Sequence, residues 1–324
     1  MARGRVPQIP QLLTYQIFMN GVVIIDKPAS LTSHDVVNRV RRSLQQRAVG
    51  HLGTLDPLAT GVLPLVTGNL TRLAQFYTAS QKTYEGIIRL GFSTDTYDAE
   101  GSPSSPAANV QVSLEELREH AARFQGVIEQ MPPPFCAKKI HGVPAYKLAR
   151  KHRDVPLEPV RVEVKEFEIL SLEGDRAAFR ARVASGTYVR SVAHDLGQEL
   201  GCGAHLESLR RTSVAEFDLA GARTLEEVED AAANRTAEEL FLHPRKLLPQ
   251  FPSVTATDEA TARIRTGRTV NLPELSRSRF VKVFYGQAEL IAIAVRVAGT
   301  LFHPKIVFAA EHSPQPAGAY SGRE

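Results

Sequence analysis

The chain has 324 residues, 43% hydrophobic and 23% charged, with 39 Lys and Arg against 35 Asp and Glu for a net charge of +4. That is enough apolar content for one large or two smaller cored domains, and a basic excess that suits a polyanionic partner without demanding one. Two cysteines, Cys136 and Cys202, exclude a disulfide framework or a zinc site and fit a reducing, cytoplasmic compartment, and no apolar run nears the roughly 18 residues of a membrane helix.

Residues 1–18 carry Arg3 and Arg5, are broken by Pro7 and Pro10 and lack the apolar core of a signal peptide, so they read as a flexible leader with Met19 a natural start. The β-branched run 22–25 predicts a buried strand ended by Asp26-Lys27-Pro28. Ser33 as N-cap predicts a helix over 34–46, with Val36, Val37, Val40 and Leu44 as its apolar stripe. Arg39, Arg41, Arg42 and Arg47 lie on or beside its polar side, ordinarily a solvated face and, with a polyanionic partner, a source of phosphate contacts. A strand is expected over 84–90, a loop over 101–109, and an amphipathic helix over 114–124 presenting Leu114, Leu117, Ala121 and Phe124. A break at Met131-Pro132-Pro133-Pro134-Phe135 precedes the densest basic stretch: Lys138, Lys139, His141, Lys147, Arg150, Lys151 and Arg153, with Tyr146 among them. Strands follow over 160–170 and 177–183, then a helix over 191–200 and helical stretches over 225–242 interrupted at Asn234. A linker at 248–252 leads to β-rich runs at 280–285, 290–297 and 305–308, and the polar residues from Glu311 are expected to be disordered. There is no internal repeat.

The chemistry concentrates in one loop, Gly50-His51-Leu52-Gly53-Thr54-Leu55-Asp56-Pro57-Leu58-Ala59-Thr60-Gly61. Its glycines permit backbone shapes that a Cβ forbids, and Pro57 pushes Asp56 out of the α region. A lone carboxylate on such a backbone suits a nucleophile or general base, whereas an isolated Asp-Pro is more often a plain turn.

That loop resembles the catalytic loop of the TruB family, the bacterial tRNA pseudouridine synthases. The resemblance extends to Gly21 through Pro28, to Lys82-Thr83-Tyr84 with Arg89-Leu90-Gly91, to Thr94-Asp95-Thr96 and Asp98 through Gly101, to Ser185 through Arg190, and to Gly201 through His205 with Leu209-Arg210-Arg211. The blocks fall in the family's order between about residues 20 and 212. The resemblance implies an α+β pseudouridine synthase fold, a mixed and largely antiparallel sheet flanked by helices, over 19–250. A small PUA-like β-barrel would follow over 251–310, resting on Ile264-Arg265-Thr266-Gly267-Arg268 and its place in the chain, with a tail over 311–324.

The implied reaction detaches uridine N1 from C1′, turns the base and rejoins it through C5, at position 55 in the T loop of tRNA. It needs no cofactor, metal or redox step. The resemblance makes Asp56 the residue that attacks C1′ or takes the C2′ proton, Arg190 the cation that keeps it ionised although buried, and Tyr84 and Tyr188 the tyrosines stacking on and packing under the base, Tyr188 also handling the C5 proton. His51 would fill the gap left by the flipped uridine, Leu209 would line the base pocket, and Lys27 would support the loop or touch phosphates. Lys138, Lys139, Lys147, Arg150, Lys151 and Arg153 are the expected clamp on the RNA. Phe135-Cys136 stands where the family usually has Tyr-Ser, and Leu52 where Thr is common, which puts fine RNA contacts there in doubt.

Three other readings stay open. Asp95 and Asp98 resemble a metal or phosphoryl-transfer pair without its strand context, and an Asx turn is the plainer account. A tRNA-folding chaperone would use the same basic surface and can coexist with catalysis. A guide-RNA-dependent synthase lacks support, because no Lys-rich tail or long insert is present, so a stand-alone cytoplasmic monomer acting on tRNA is expected.

Overall fold

The computed structural model describes residues 19–136, 138–140, 143–144 and 157–308. The expected leader, the tail from 311, and His141, Tyr146, Lys147, Arg150, Lys151 and Arg153 lie outside the described residues, as does the Lys139 side chain. The strands are β1 Gly21–Lys27, β2 Val49–His51, β3 Thr60–Thr67, β4 Lys82–Leu90, β5 Gly126–Gln130, β6 Lys139–Ile140, β7 Val143–Pro144, β8 Val160–Glu173, β9 Arg176–Val183, β10 Ala204–Val214, β11 Phe217–Asp218, β12 Ser253–Thr255, β13 Val270–Asn271, β14 Phe280–Tyr285, β15 Glu289–Ala298 and β16 Leu301–Val307. The α-helices are α1 Ser33–Ser43, α2 Leu114–Ala122, α3 Val189–Glu199, α4 Leu225–Ala233 and α5 Asp258–Arg265.

A nine-stranded sheet runs β1-β3-β10-β4-β9-β8-β5, with β2 on β3 and β11 on β10. All its pairings are antiparallel except β3 with β10, which meet in parallel at Thr60 with Arg210 and Gly61 with Arg211. The strand period of two sorts β1 and β3 onto two cores. Val23, Ile25, Leu63 and Leu65 enter one core together with residues of α1, α2, α3 and α4, while Val22, Ile24, Val62 and Val66 enter another that includes residues of the second sheet. That second sheet, β12-β14-β15-β16-β13, is a small curled half-barrel, consistent with the small PUA-like β-barrel expected past residue 251. It has its own core around Ile264 and Phe302, and Phe284, Leu290, Ile293, Ile306 and Phe308 continue into the core behind β1 and β3.

A polar latch joins the two sheets. Glu216 accepts from the Tyr77 hydroxyl at 2.5 Å and from the Leu248 N–H at 2.8 Å. The buried Lys282 ammonium donates to the carbonyls of Arg245 and Leu247 at 2.8 and 2.6 Å. The expected linker is therefore a tied-down turn. Burial lowers the Lys282 pKa and, with the Glu216 charge, raises that of Tyr77.

The structure departs from the sequence reading in four places that matter for the site. Thr32, not Ser33, caps α1, in a capping box with Asp35, and Ser33 is turned inward for another purpose. Arg190 lies in the first turn of α3. Arg39 pairs with Glu226 and Glu229, and Arg41 bonds Asn38 and the carbonyls of Arg47 and Val49, so both are committed within the protein. Strands β2, β3, β5 and β10 and helix α5 were not anticipated. On the open side of the sheet, Arg180 and Arg182 each pair with a glutamate on a neighbouring strand and Arg176 reaches past β4 to Glu207 on β10, leaving a charged, solvated face.

Candidate active site

The Asp56 loop leaves β2 and enters β3 without a strand partner of its own, so its peptide groups need other partners. Buried side chains supply them. Arg211 on β10 is fully buried and donates to the carbonyls of Gly53 (3.0 Å), Thr54 (3.2 Å) and Val62 (2.7 Å). The Ser33 hydroxyl donates to the Leu55 carbonyl at 3.0 Å and accepts from the Leu55 N–H at 2.8 Å. The Asp56 carbonyl accepts from Ala59 N–H at 3.1 Å, and the Pro57 carbonyl from Ser30 N–H at 2.9 Å and the Lys27 ammonium at 3.3 Å. Every carbonyl from residue 53 to 57 is thereby held. At the loop's end, Gly61 has φ +98° and lies against the Arg211 carbonyl, where a Cβ would collide.

On this frame the Asp56 carboxylate meets the Arg190 guanidinium, Oδ2 to Nε at 2.9 Å. Their side chains differ sharply in exposure, 41% for Asp56 and 6% for Arg190. The expectation of a buried carboxylate is corrected: the cation is buried and the carboxylate faces out. Arg190 also donates to the Thr96 carbonyl and the Phe135 carbonyl, each at 3.0 Å, and lies 3.4 Å from a second carboxylate, Asp98, whose side chain is 5% exposed. A planar fork serving four acceptors is held in one orientation.

Asp98 was not among the expected site residues, although it stands in a matching block. Its signal was the Asp-Thr-Tyr-Asp run. Thr96 Oγ1 donates to Asp98 Oδ1 at 2.6 Å and the Glu100 N–H at 3.1 Å, yet burial outweighs them and raises its pKa. Asp95 accepts instead from Ser102 N–H at 2.8 Å. The two carboxylates have separate partners and form no metal pair. Tyr97 between them takes φ +66° and stacks on His194, ring centroids 3.7 Å apart, fastening this loop to α3.

The remaining expected residues fall around the pair with differing access. Tyr188, the N-cap of α3, is half-buried, and its hydroxyl bonds the Cys136 thiol; burial, that contact and Asp56 push its pKa far up, so it rests as a phenol. Tyr84 on β4 is 7% exposed and its hydroxyl bonds Arg211, so little of the ring is open. His51 accepts from the Gly53 N–H at 3.3 Å through Nδ1; burial and Arg211 lower its pKa and keep it neutral. Leu209 is buried on β10. Lys27 is fully buried and spends its ammonium on the carbonyls of Pro28, Leu31 and Pro57, so of its two expected roles it fills loop support and has no face for a phosphate. Burial brings its pKa down to about 8. Lys138 is half-buried and donates to the Glu158 carbonyl at 3.4 Å. Sequence reasoning missed Arg211 and Ser33 as loop braces, because adjacent basic residues and a helix-start serine both suggest a surface.

Residues 41–189 match the model of the TruB family pseudouridylate synthase N-terminal domain, and residues 190–249 that of the tRNA pseudouridylate synthase B C-terminal domain. A curated protein named tRNA pseudouridine synthase B from Solibacter usitatus is 50% identical over 292 residues, covering 89% of this chain and all of that protein. Its namesake from Syntrophotalea carbinolica is 41% identical over 249 residues, 77% of this chain and 81% of that protein. Among solved structures, one of a Cbf5-Nop10-Gar1 complex contains a chain with TM-score 0.68 and 25% identity, covering 92% of this chain and 87% of that one. An H/ACA RNP bound to a substrate RNA containing 2′-deoxyuridine gives TM-score 0.67 at 24% identity over 92% and 86%, a likeness of fold.

Proposed function

Since the chain belongs to the TruB family of pseudouridylate synthases, we propose that it isomerises uridine to pseudouridine in the T loop of tRNA, at position 55, after flipping the base from its stack. The observation that carries this reading is the open Asp56 carboxylate held 2.9 Å from a buried Arg190 on a fully braced loop. Such a carboxylate is reachable by a ribose and cannot turn away.

Asp56 acts at the sugar, either adding to C1′ as N1 departs or removing the C2′ proton to give a glycal. The uracil then turns, C5 bonds C1′, and the C5 proton leaves while N1 gains one, so product and substrate are isomers. Tyr188, held as a phenol, suits a relay that accepts the C5 proton while passing its own onward, and does not suit a resting base. Arg190 keeps Asp56 aimed through the chemistry. Tyr84 and Leu209 floor the base site, and neutral His51 fills the stack vacated by the uridine. Lys138 and the basic residues after it grip the RNA backbone.

We further infer a catalytic unit over 19–250 and a PUA-like RNA-binding unit over 251–310, working as a cytoplasmic monomer without guide RNA, metal or cofactor. The chain's similarity to bacterial relatives named for tRNA supports this more than its likeness to chains of the Cbf5-Nop10-Gar1 complex and the H/ACA RNP at about half that identity. Among the described residues no helix is long and apolar enough to cross a membrane. The test is an unmodified tRNA transcript tritiated at uridine C5, incubated in EDTA with wild type and with Asp56→Asn. Tritium release by wild type alone, mapped to the T loop, is expected. Tight binding by both without release would instead favour a tRNA-folding role, which Asp56→Asn should retain in either case.

A further inference from the structure

The start of α3 carries both Tyr188 and Arg190, yet the Tyr188 side chain makes no capping hydrogen bond to the helix it begins. Its backbone is held from outside. Gln130, at the end of edge strand β5, is completely buried, and its amide meets both polar groups of the Tyr188 peptide unit. The Tyr188 N–H donates to Gln130 Oε1 at 2.8 Å, and Gln130 Nε2 donates to the Tyr188 carbonyl at 3.0 Å. A side chain here does what a neighbouring strand would do.

The residues after Gln130 repeat the attachment. The Met131 carbonyl accepts from the Ser191 hydroxyl at 2.7 Å, the Phe135 carbonyl accepts from Arg190, and Cys136 bonds the Tyr188 hydroxyl. One stretch of seven residues, 130–136, thus grips three of the four residues 188–191. We propose that Gln130 is a positioning residue for the isomerisation: it sets the Tyr188 backbone, and through it the direction of the phenol and of the Arg190 guanidinium facing Asp56. This deepens the proposed function and rests on it.

The chemistry of the amide supplies a test that a merely structural role would not pass. An ionised glutamate at this position accepts from the Tyr188 N–H but opposes the Tyr188 carbonyl with a second acceptor. A protonated glutamate donates to that carbonyl and restores both bonds, and burial brings its protonation toward neutral pH. The experiment measures single-turnover tritium release and tRNA affinity for wild type, Gln130→Glu, Gln130→Met and the exposed neighbour Glu129→Gln, at about pH 6 and about pH 8, with thermal melts alongside.

Relative to wild type at the same pH, Gln130→Glu should lose at least about tenfold in rate at the higher pH, recover most of it at the lower, and bind tRNA normally. Gln130→Met should be slow at both, and Glu129→Gln normal at both. Variants as fast as wild type overturn the proposal. So do a pH-independent loss in Gln130→Glu, a loss confined to tRNA affinity, or failure of Gln130→Glu to fold at either pH. If wild type itself releases no tritium, the proposed function fails instead.

Discussion

Arg190 is approached by two loops, and they deliver the same functional group under opposite conditions. The 53–57 loop holds its carbonyls with Arg211, Ser33, Lys27 and two backbone N–H groups and leaves the Asp56 carboxylate 41% exposed. The 94–101 loop turns its carboxylate inward, where Asp98 is bonded by Thr96 and Glu100 and is 5% exposed. One loop fixes its backbone and frees its side chain, and the other spends its side chain on fixing the loop. Sharing a guanidinium does not make two carboxylates equivalent. On the proposed mechanism, access to a substrate would separate Asp56, which reacts, from Asp98, which orients the shared arginine.

The sharpest way to break this contrast is Asp56→Asn, which should lower single-turnover rate by at least ~10³-fold with tRNA affinity retained, measured by tritium release and filter binding. Next is Arg190→Met, which removes the shared cation. A rate loss of ~10²-fold is expected, with a fall in unfolding free energy of about 3–5 kcal/mol in denaturant titration, because Asp98 is left buried and unpaired. A stability loss matching that of Asp56→Asn would erase the distinction between the two carboxylates.

Asp98→Asn should cost less in rate, about tenfold, and should change the pH dependence of stability. Burial raises the Asp98 pKa above its ordinary 3.8, so the folded protein keeps this proton to higher pH than the unfolded chain does. Stability associated with the group therefore declines as pH rises above 3.8, and the Asn variant should show a flatter profile there in chemical denaturation.

The smallest effect tests the braces. Burial lowers Lys27 from 10.5 to about 8, so across that window the unfolded chain binds more protons and this group's contribution to stability rises with pH. Deprotonation nevertheless leaves two donors for three carbonyls. Activity should fall above about pH 8 while the melting temperature does not, and Lys27→Met should be slower at every pH and lack that alkaline limb.

The meeting of Asp56 with Arg190 in the candidate site was legible in the sequence because the Asp-Pro loop and the Thr-Tyr-Val-Arg run are short, contiguous and resemble a known family. Strand β1 and helices α1 and α2 were legible from periodicity. What stayed hidden depends on distant partners. Arg210 and Arg211 look alike in sequence, but the strand period sends Arg210 to Asp26 at the surface and Arg211 into the interior beneath the loop. Ser33 carries every mark of a helix cap and is displaced by a better one next to it. Strand β3 was obscured because it begins inside the catalytic motif and carries Pro64, whose missing N–H is tolerated at that register opposite Ile24.

The latch of Glu216, Tyr77 and Lys282 bears on how the protein comes apart. Val22, Ile24, Val62, Val66, Leu70, Leu73 and Phe217 close their core only with Phe284, Leu290 and Ile293 from the second sheet. The half-barrel is thus no detachable module: shortening the gene before residue 251 would strip the back of β1 and β3 to solvent and strand a buried glutamate and tyrosine, and the product would aggregate. The two sheets should therefore melt in one cooperative transition, and damage to the half-barrel would reach Asp56 by unfolding the strand on which its loop ends.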